Sequence, residues 1–364
     1  MCRTACFAVG GMSQRASSAE SMHSSTTLLA ESVSTRQLPV NLEPGDLWLF
    51  EREVRRTLPE SRLIEMRDVR ISADGLLFKA GRILPESFAF PHLRDEWPRL
   101  GRLRVVLANY LLRTSTRVDE GALWIVDNWS AGYFHWLADT LPRLFLVRQH
   151  VRDWTLLLPH YARALPFVEP SLAPFGVGRV RHVDASEVLA CRRLFVPTHV
   201  APPGHFNDEV IRSVRQLLVD AYGVGDAPAD RLYISRSAAR RRRVSNEADV
   251  LDVLRRFGFR ILHAESCPFA EQVRAASASR YLVSSHGAGL TNMLFMRPGS
   301  HVLELRHEGD AVSNCYFTMA SALELAYAYQ TCASAEPGAP AHTADLHVDL
   351  RRLERHLERL LSGG

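Results

Sequence analysis

The most telling absence in this sequence is lysine. Lys79 is the only one, so 43 of the 44 basic residues are arginine and the formal charge of +4 is almost wholly a balance of arginine against carboxylate. An arginine cluster in a loop therefore calls for separate attention, because the planar guanidinium fork suits phosphate or carboxylate. Cysteine is also sparse. Cys2, Cys6, Cys191, Cys267, Cys315 and Cys332 form no CxxC pair and no regular spacing, which fits neither a zinc site nor a disulfide framework, and a reducing compartment is expected. Long apolar runs are missing too: LWIVDNW and WTLLLP break within about eight residues, against the roughly 20 that span a bilayer. No DxD pair occurs, so the usual signature of a metal bridging a diphosphate is lacking.

What is present is the composition of a folded protein, with 46% hydrophobic and 23% charged residues over 364 positions. That length exceeds what one hydrophobic core usually fills and favours two packed domains. Residues 1–37 are rich in Ser, Thr and Ala and lack periodicity, and are expected to be a disordered leader. From Leu38 to Arg117 strand-like pieces (LWLF, GLLFKA, RVVLANYLL) are interrupted by polar breaks. After residue 120 order sharpens: ALWIVDN, WTLLLP and RVRHVD read as strands around a helix YFHWLADTLPRLFLVRQH. The Pro- and Gly-rich PTHVAPPGHF marks a boundary, giving an α/β domain over 38–205 and a second over 206–335. In the second, strand and helix alternate from DEVIRSVRQLLVDAYG, with Asn207 as its N-cap and Gly223 closing it, to HVLEL, as in a doubly wound unit. Residues 336–364 supply a linker and a closing amphipathic helix with leucines at 346, 350, 353, 357 and 360.

Three constellations could carry chemistry. In RLYISRSAARRRRVSNE a strand opens into a loop with Arg236 and the run Arg240 to Arg243, after Arg231 at the strand entrance; Asn246 is a candidate N-cap. Such density at the carboxyl end of a parallel strand suits an anion with more than one phosphate, while a solvated basic loop or a nucleic-acid patch remains the alternative. In RYLVSSHGAGLTNMLFMRPGS a strand meets a helix through His286-Gly287-Ala288-Gly289. Two glycines let backbone approach a ligand, and the next amides can hold phosphate oxygens. The segment approaches GxGxxG but has Asn292 at the third glycine, and its helix is short; Glu304 on the next strand is placed to accept from ribose hydroxyls, or is simply a buried glutamate. In DNWSAGYFHWLADTLPRL, His135, Asp139 and Arg143 recur at i, i+4 and i+8, a polar stripe on a largely apolar helix. It either faces a cleft or is a hydrogen-bonded core network, and Pro142 makes the phase of Arg143 the least certain.

Taken together, YFHWLADTLPRL, YISRSAARRRRVSNE, FAEQV and SHGAGLTNMLFMRPGSHVLEL resemble glycosyltransferase family 61 over roughly residues 122–306. The resemblance implies an α/β, GT-B-like architecture, two Rossmann-like domains facing across a cleft. It further implies an inverting transfer from a nucleotide-sugar donor to a saccharide or lipid-linked glycan acceptor, as in capsular or exopolysaccharide synthesis. Under that reading the catalytic set is His135, Asp139 and Arg236, with either His135 or Asp139 as base. Donor binding falls to Arg236, Arg240, Arg242, Arg243, Asn246, Glu247, His286, Gly287, Ala288, Gly289, Leu290, Asn292 and Glu304. No metal ligand, cofactor or nucleic-acid partner is expected. The expected location is the cytoplasm, with association at the inner face of the cell membrane left open. A Rossmann-type NAD(P) oxidoreductase and an arginine-rich nucleic-acid-binding protein are the competing readings.

Overall fold

The computed structural model describes residues 24–96, 99–111, 113–224, 230–336 and 338–362. Residues 1–23 of the expected leader lie outside these, but its last part forms strands. Ser24–Leu29 (β1) and Ser32–Thr35 (β2) are rich in Thr and Val, which suit extended backbone. The strand β2 pairs antiparallel with Arg55–Leu58 (β3), and β1 with Ser61–Ser72 (β4).

Short turns decide the first half of the main N-terminal sheet. From β4 the chain reverses through Gly75 into Leu77–Lys79 (β5) and through Gly81 into Arg82–Ile83 (β6), and such tight connections can only join antiparallel neighbours. Leu93–Glu96 (α1) and Arg99–Leu111 (α2) follow. The helix α2 corrects the expectation of a strand at RVVLANYLL: Leu100, Leu103, Leu107 and Leu111 recur at helical spacing. Likewise LWLF forms a 3-10 turn over Leu47–Leu49, not a strand, with Asp46 at its N-cap after Pro44-Gly45.

The α/β layer expected after residue 120 is present. Thr114–Leu123 (β7), Thr155–Leu158 (β8) and Arg179–His182 (β9) pair in parallel, joined by Tyr133–His135 (α3), Leu141–Leu146 (α4) and Val168–Leu172 (α5). Glu187–Pro197 (β10) runs parallel to β7 and antiparallel to β4. The sheet is thus mixed, in the order β6-β5-β4-β10-β7-β8-β9, and not purely parallel as in a Rossmann unit. Between α3 and α4 the chain widens into a π turn over Trp136–Thr140, closed by the Leu141 N–H on the Trp136 carbonyl. Pro142 has no N–H for Ala138, and the extra residue in this turn absorbs the mismatch.

The C-terminal half opens with Asp208–Tyr222 (α6), whose N-cap Asn207 accepts from the Val210 N–H at 3.1 Å, as its position in the sequence predicts. The strands Asp230–Ser235 (β11), Arg260–His263 (β12), Ser279–Ser285 (β13), His301–His307 (β14) and Ala326–Ser334 (β15) form a parallel sheet in the order β12-β11-β13-β14-β15, and the short Leu346–His347 (β16) adds antiparallel to β15. Counting from β11 this is the order 2-1-3-4-5 of one class of doubly wound folds. Alternation along the strands shows why both faces are covered. Leu232, Ile234, Leu282 and Val302 join the core shared with the N-terminal half, while Tyr233, Val283, Leu303 and Leu305 meet Leu353 and Leu357 of Leu350–Ser362 (α10). Glu247–Arg256 (α7), Phe269–Ser277 (α8) and Cys315–Ala322 (α9) complete the helical layers. Among the described residues no helix is long and apolar enough to cross a membrane.

Candidate functional site

In a sheet of order 2-1-3-4-5 the connections leave in opposite directions after its first and third strands, opening a crevice between their carboxyl ends. Here those strands are β11 and β13, and the residues that follow them are Arg236 and His286-Gly287. Arg236 is 8% exposed, with one guanidinium nitrogen donating to the Arg241 carbonyl at 3.2 Å. Among the described residues its Nε is buried without a partner, and so is Nε of Arg242. Burial, then the neighbouring charge of Arg242, pull the Arg236 guanidinium below its ordinary value. Arg242 itself holds φ of +56°, an uncommon conformation for a residue with a side chain. Two adjoining guanidinium groups with unsatisfied buried donors are costly unless an anion completes them.

Gly287 has φ 151° and ψ 178°, a region only glycine occupies without strain. A Cβ there would lie 2.3 Å from Arg236 Cζ, and one on Gly289 would lie 2.8 Å from Ile234 Cγ2, so these glycines let strand, arginine and turn close on one another. The following helix, Ala288–Phe295, is 3-10, unlike the α-helical crossover of a dinucleotide fingerprint. Its first amides, at Ala288 and Gly289, have no partner among the described residues. Leu290, in contrast, spends its N–H on the Gly287 carbonyl at 2.9 Å, which removes it from the expected anion cradle.

His135 and Asp139 do form a pair: Nδ1 lies 2.7 Å from Asp139 Oδ2, with Asp139 buried and His135 partly exposed. An ionised carboxylate only accepts, so Nδ1 carries the proton and Nε2 is left as the basic nitrogen. Arg143 does not continue this stripe. The π turn rotates it away, and it is buried with Nε on the Pro197 carbonyl at 2.8 Å and a terminal nitrogen 3.4 Å from Asp127 Oδ2. Asp127 also meets His199 Nε2 at 2.9 Å. Burial alone would raise the Asp127 carboxyl, but His199 and Arg143 outweigh it and hold it low. That group is the buried network which the sequence left as an alternative for the whole stripe.

The two halves meet around these residues. Tyr133 donates to Asn292 Oδ1 at 2.9 Å, while Asn292 donates to Gln272 Oε1 and to the Gly289 carbonyl. Asn292, standing where a third glycine was sought, is thus a fully buried link between α3 and the glycine turn. The Phe134 ring lies 5.6 Å from Tyr316 of α9, which in turn lies 5.0 Å from the His286 ring. Asp139, Arg242 and Glu304 all act electrostatically on half-buried Cys315, whose thiol desolvation pushes far up. A cavity of about 310 Å³ opens beside Arg236 and Gly289, walled by Tyr133 and Phe167 from one half and Glu265, Cys267 and Gln272 from the other. Its size is at the lower end for small-molecule sites.

Several expected donor contacts lie elsewhere. Glu304 is fully buried, one carboxylate oxygen on His286 Nδ1 and the other accepting from the Tyr327 hydroxyl, so it orients His286 and has no oxygen for ribose. Burial would raise its carboxyl, but His286 and Arg306 hold it below the usual range. Arg243 pairs with Asp345, backbone N–H and guanidinium together. Asn246 does not cap α7; its amide brackets Val348 through both N–H and carbonyl, at 2.9 and 3.0 Å. Glu247 accepts from Tyr233 and Ser235, bracing the end of β11. Arg231 binds the Phe257 carbonyl at the far end of that strand, and Arg240 is exposed. Tyr133 and Gln272 fall inside the segments YFHWLADTLPRL and FAEQV but were given no role, and Phe167 and Glu265 lie in no quoted motif.

The family model Glycosyltransferase 61 matches residues 133–303, from the start of α3 into β14, a span that holds both the His135–Asp139 pair and the glycine turn. No curated protein matches the chain.

Proposed function

We propose that this chain, which belongs to glycosyltransferase family 61 through residues 133–303, transfers a sugar with inversion from a nucleoside diphosphate donor to a saccharide or lipid-linked glycan acceptor. The observation that carries the reading is the pairing, within one family-matched segment, of a histidine–carboxylate dyad with two neighbouring arginines whose Nε atoms are buried without a partner among the described residues, beside a glycine turn. A glycosyltransferase is asked for two things: a base for the acceptor hydroxyl and a stabiliser for the departing diphosphate. His135 Nε2 takes the acceptor proton, with Asp139 fixing the tautomer and the charge that develops. The acceptor oxygen attacks the anomeric carbon from the face opposite the leaving group. The bond to the diphosphate breaks, and its oxygens are received by Arg236, Arg242 and the Ala288 and Gly289 amides.

In this proposal the two sheets belong to two domains joined near residue 205 in a GT-B-like arrangement. The arginines do the work of a divalent ion, and the product enters a surface polysaccharide assembled on the cytoplasmic side of the membrane. The test is transfer with a panel of nucleotide sugars and saccharide acceptors, with the product anomer read by NMR. An anomer of the same configuration as the donor overturns inversion, and stabilisation by nicotinamide dinucleotides but by no nucleoside diphosphate overturns the donor class.

A further inference from the structure

Building on the donor class just proposed, we infer that the donor lies across the carboxyl ends of the C-terminal sheet with its nucleoside over β12 and its sugar toward β14, and that Glu265 accepts hydrogen bonds from the ribose hydroxyls. Neighbouring strands stand about 4.8 Å apart, so the order β12-β11-β13-β14 sets out a ruler along the cleft. The unsatisfied guanidinium groups and the glycine turn fix the diphosphate at the crevice between β11 and β13. Two directions then remain for the two ends of the donor.

Toward β12 lies the 310 Å³ cavity, with Glu265 two residues past the end of that strand and Phe167 and Phe269 among its walls. Glu265 is exposed and makes no hydrogen bond or ion pair among the described residues, yet its charge reaches Arg236. A free carboxylate one strand away from a diphosphate cannot serve phosphate, which it repels. It only accepts, and the donors nearest a nucleoside's phosphates are its ribose hydroxyls, with a flat base beyond them for the apolar walls. Toward β14 lie His286, Tyr316 and the dyad, the side on which the reacting carbon must be. The reverse orientation would put the nucleobase against the dyad and the sugar among Phe167, Phe269 and Glu265, away from the His135–Asp139 pair. Glu304, whose oxygens are both occupied, leaves the ribose role open for Glu265.

The test measures calorimetric affinities of the full chain for UDP, GDP and ADP, and for the 2′- and 3′-deoxy forms of whichever binds. The wild type is expected to prefer the ribonucleotide by about 10- to 100-fold, the size of one charged hydrogen bond. Glu265→Gln should lose most of that preference while binding inorganic pyrophosphate at least as tightly as the wild type does, which also shows that the variant is folded. A wild type indifferent to the ribose hydroxyls, or a variant that keeps the full preference, overturns the role of Glu265 while leaving the donor class standing. Unchanged ribose preference with altered choice among donor sugars would reverse the orientation. Absence of binding by every nucleoside diphosphate, with pyrophosphate still bound, would overturn the donor class itself.

Discussion

The guanidinium of Arg236 lies against the backbone of Gly287, with no room between them for a methyl group. Gly287→Ala therefore does two things: it strains the backbone by about 1–3 kcal/mol and drives Arg236 out of the crevice between β11 and β13. Loss of function should exceed loss of stability. Transfer is expected to fall at least about 100-fold, the cost of one misplaced transition-state donor, while thermal unfolding stays cooperative. A variant with a lower melting temperature but normal turnover per folded molecule would show that the contact is packing alone.

The arginine loop divides by the partners its members have found. Arg236→Ala should cost ~2.7 to 4 kcal/mol of activation free energy, because it removes a donor from developing leaving-group charge. Arg242→Ala is expected to approach this, since its Nε is also buried and unpartnered. Arg240→Ala should be nearly silent. Arg243→Ala should lower stability modestly through lost pairing with Asp345, with little effect on turnover. Steady-state kinetics and denaturant unfolding of the four variants check this, and equal, mild kinetic effects at all four would mean the loop only draws the donor in at long range.

That division marks where sequence reasoning stops. Alternation and helix caps made the C-terminal sheet legible: Asn207 caps, the strands fall where apolar runs suggest, and Arg236 and the glycine turn come together because two strands in one sheet carry them. The partners of Arg243 and Asn246 lie about 100 residues on, at Asp345 and Val348, and no local pattern announces such contacts. A periodicity argument placed Arg143 with His135 and Asp139, and one extra residue in the π turn was enough to defeat it. Glu265 escaped notice because a lone glutamate between strand and helix acquires meaning only when the strand order is known.

Transfer is expected to persist in EDTA, since Arg236 and Arg242 already supply two fixed positive charges where the diphosphate would sit. Full loss of activity on chelation, restored by magnesium or manganese, would refute this and require a metal to share the diphosphate with the arginines.

His356 gives a pH dependence of stability. It is 5% exposed, with Nε2 unpartnered among the described residues; burial, then Arg352, Arg359 and Arg355, pull it down to about 4. An unfolded histidine titrates near 6.5, so as pH falls below that value the unfolded chain takes up a proton that the folded chain refuses. The contribution is complete above about pH 6.5 and is lost progressively toward pH 4, on the order of 3 kcal/mol in all. His356→Leu, flanked by Leu353 and Leu357 on the same helix, should lose less stability between pH 7 and 4.5 than the wild type in urea titrations. Parallel losses in the two proteins would contradict the shift.

The dyad is the sharpest test of the mechanism, because its two members are 2.7 Å apart and only one of them can be the base. If His135 Nε2 takes the proton, His135→Ala should lower turnover by ~100 to 10,000-fold. Nucleoside diphosphate affinity should hold, since the groups assigned to it come from the other sheet. Asp139→Asn should then hurt less, because an amide can still present its carbonyl to Nδ1–H and keep the tautomer, losing only the charge that steadies the imidazolium. If instead Asp139→Asn abolishes turnover and His135→Ala is the milder, the carboxylate is the base and the histidine positions it. Full activity in both variants would assign the pair to the same structural role as Arg143 and Asp127, and would place the base outside α3 and the π turn.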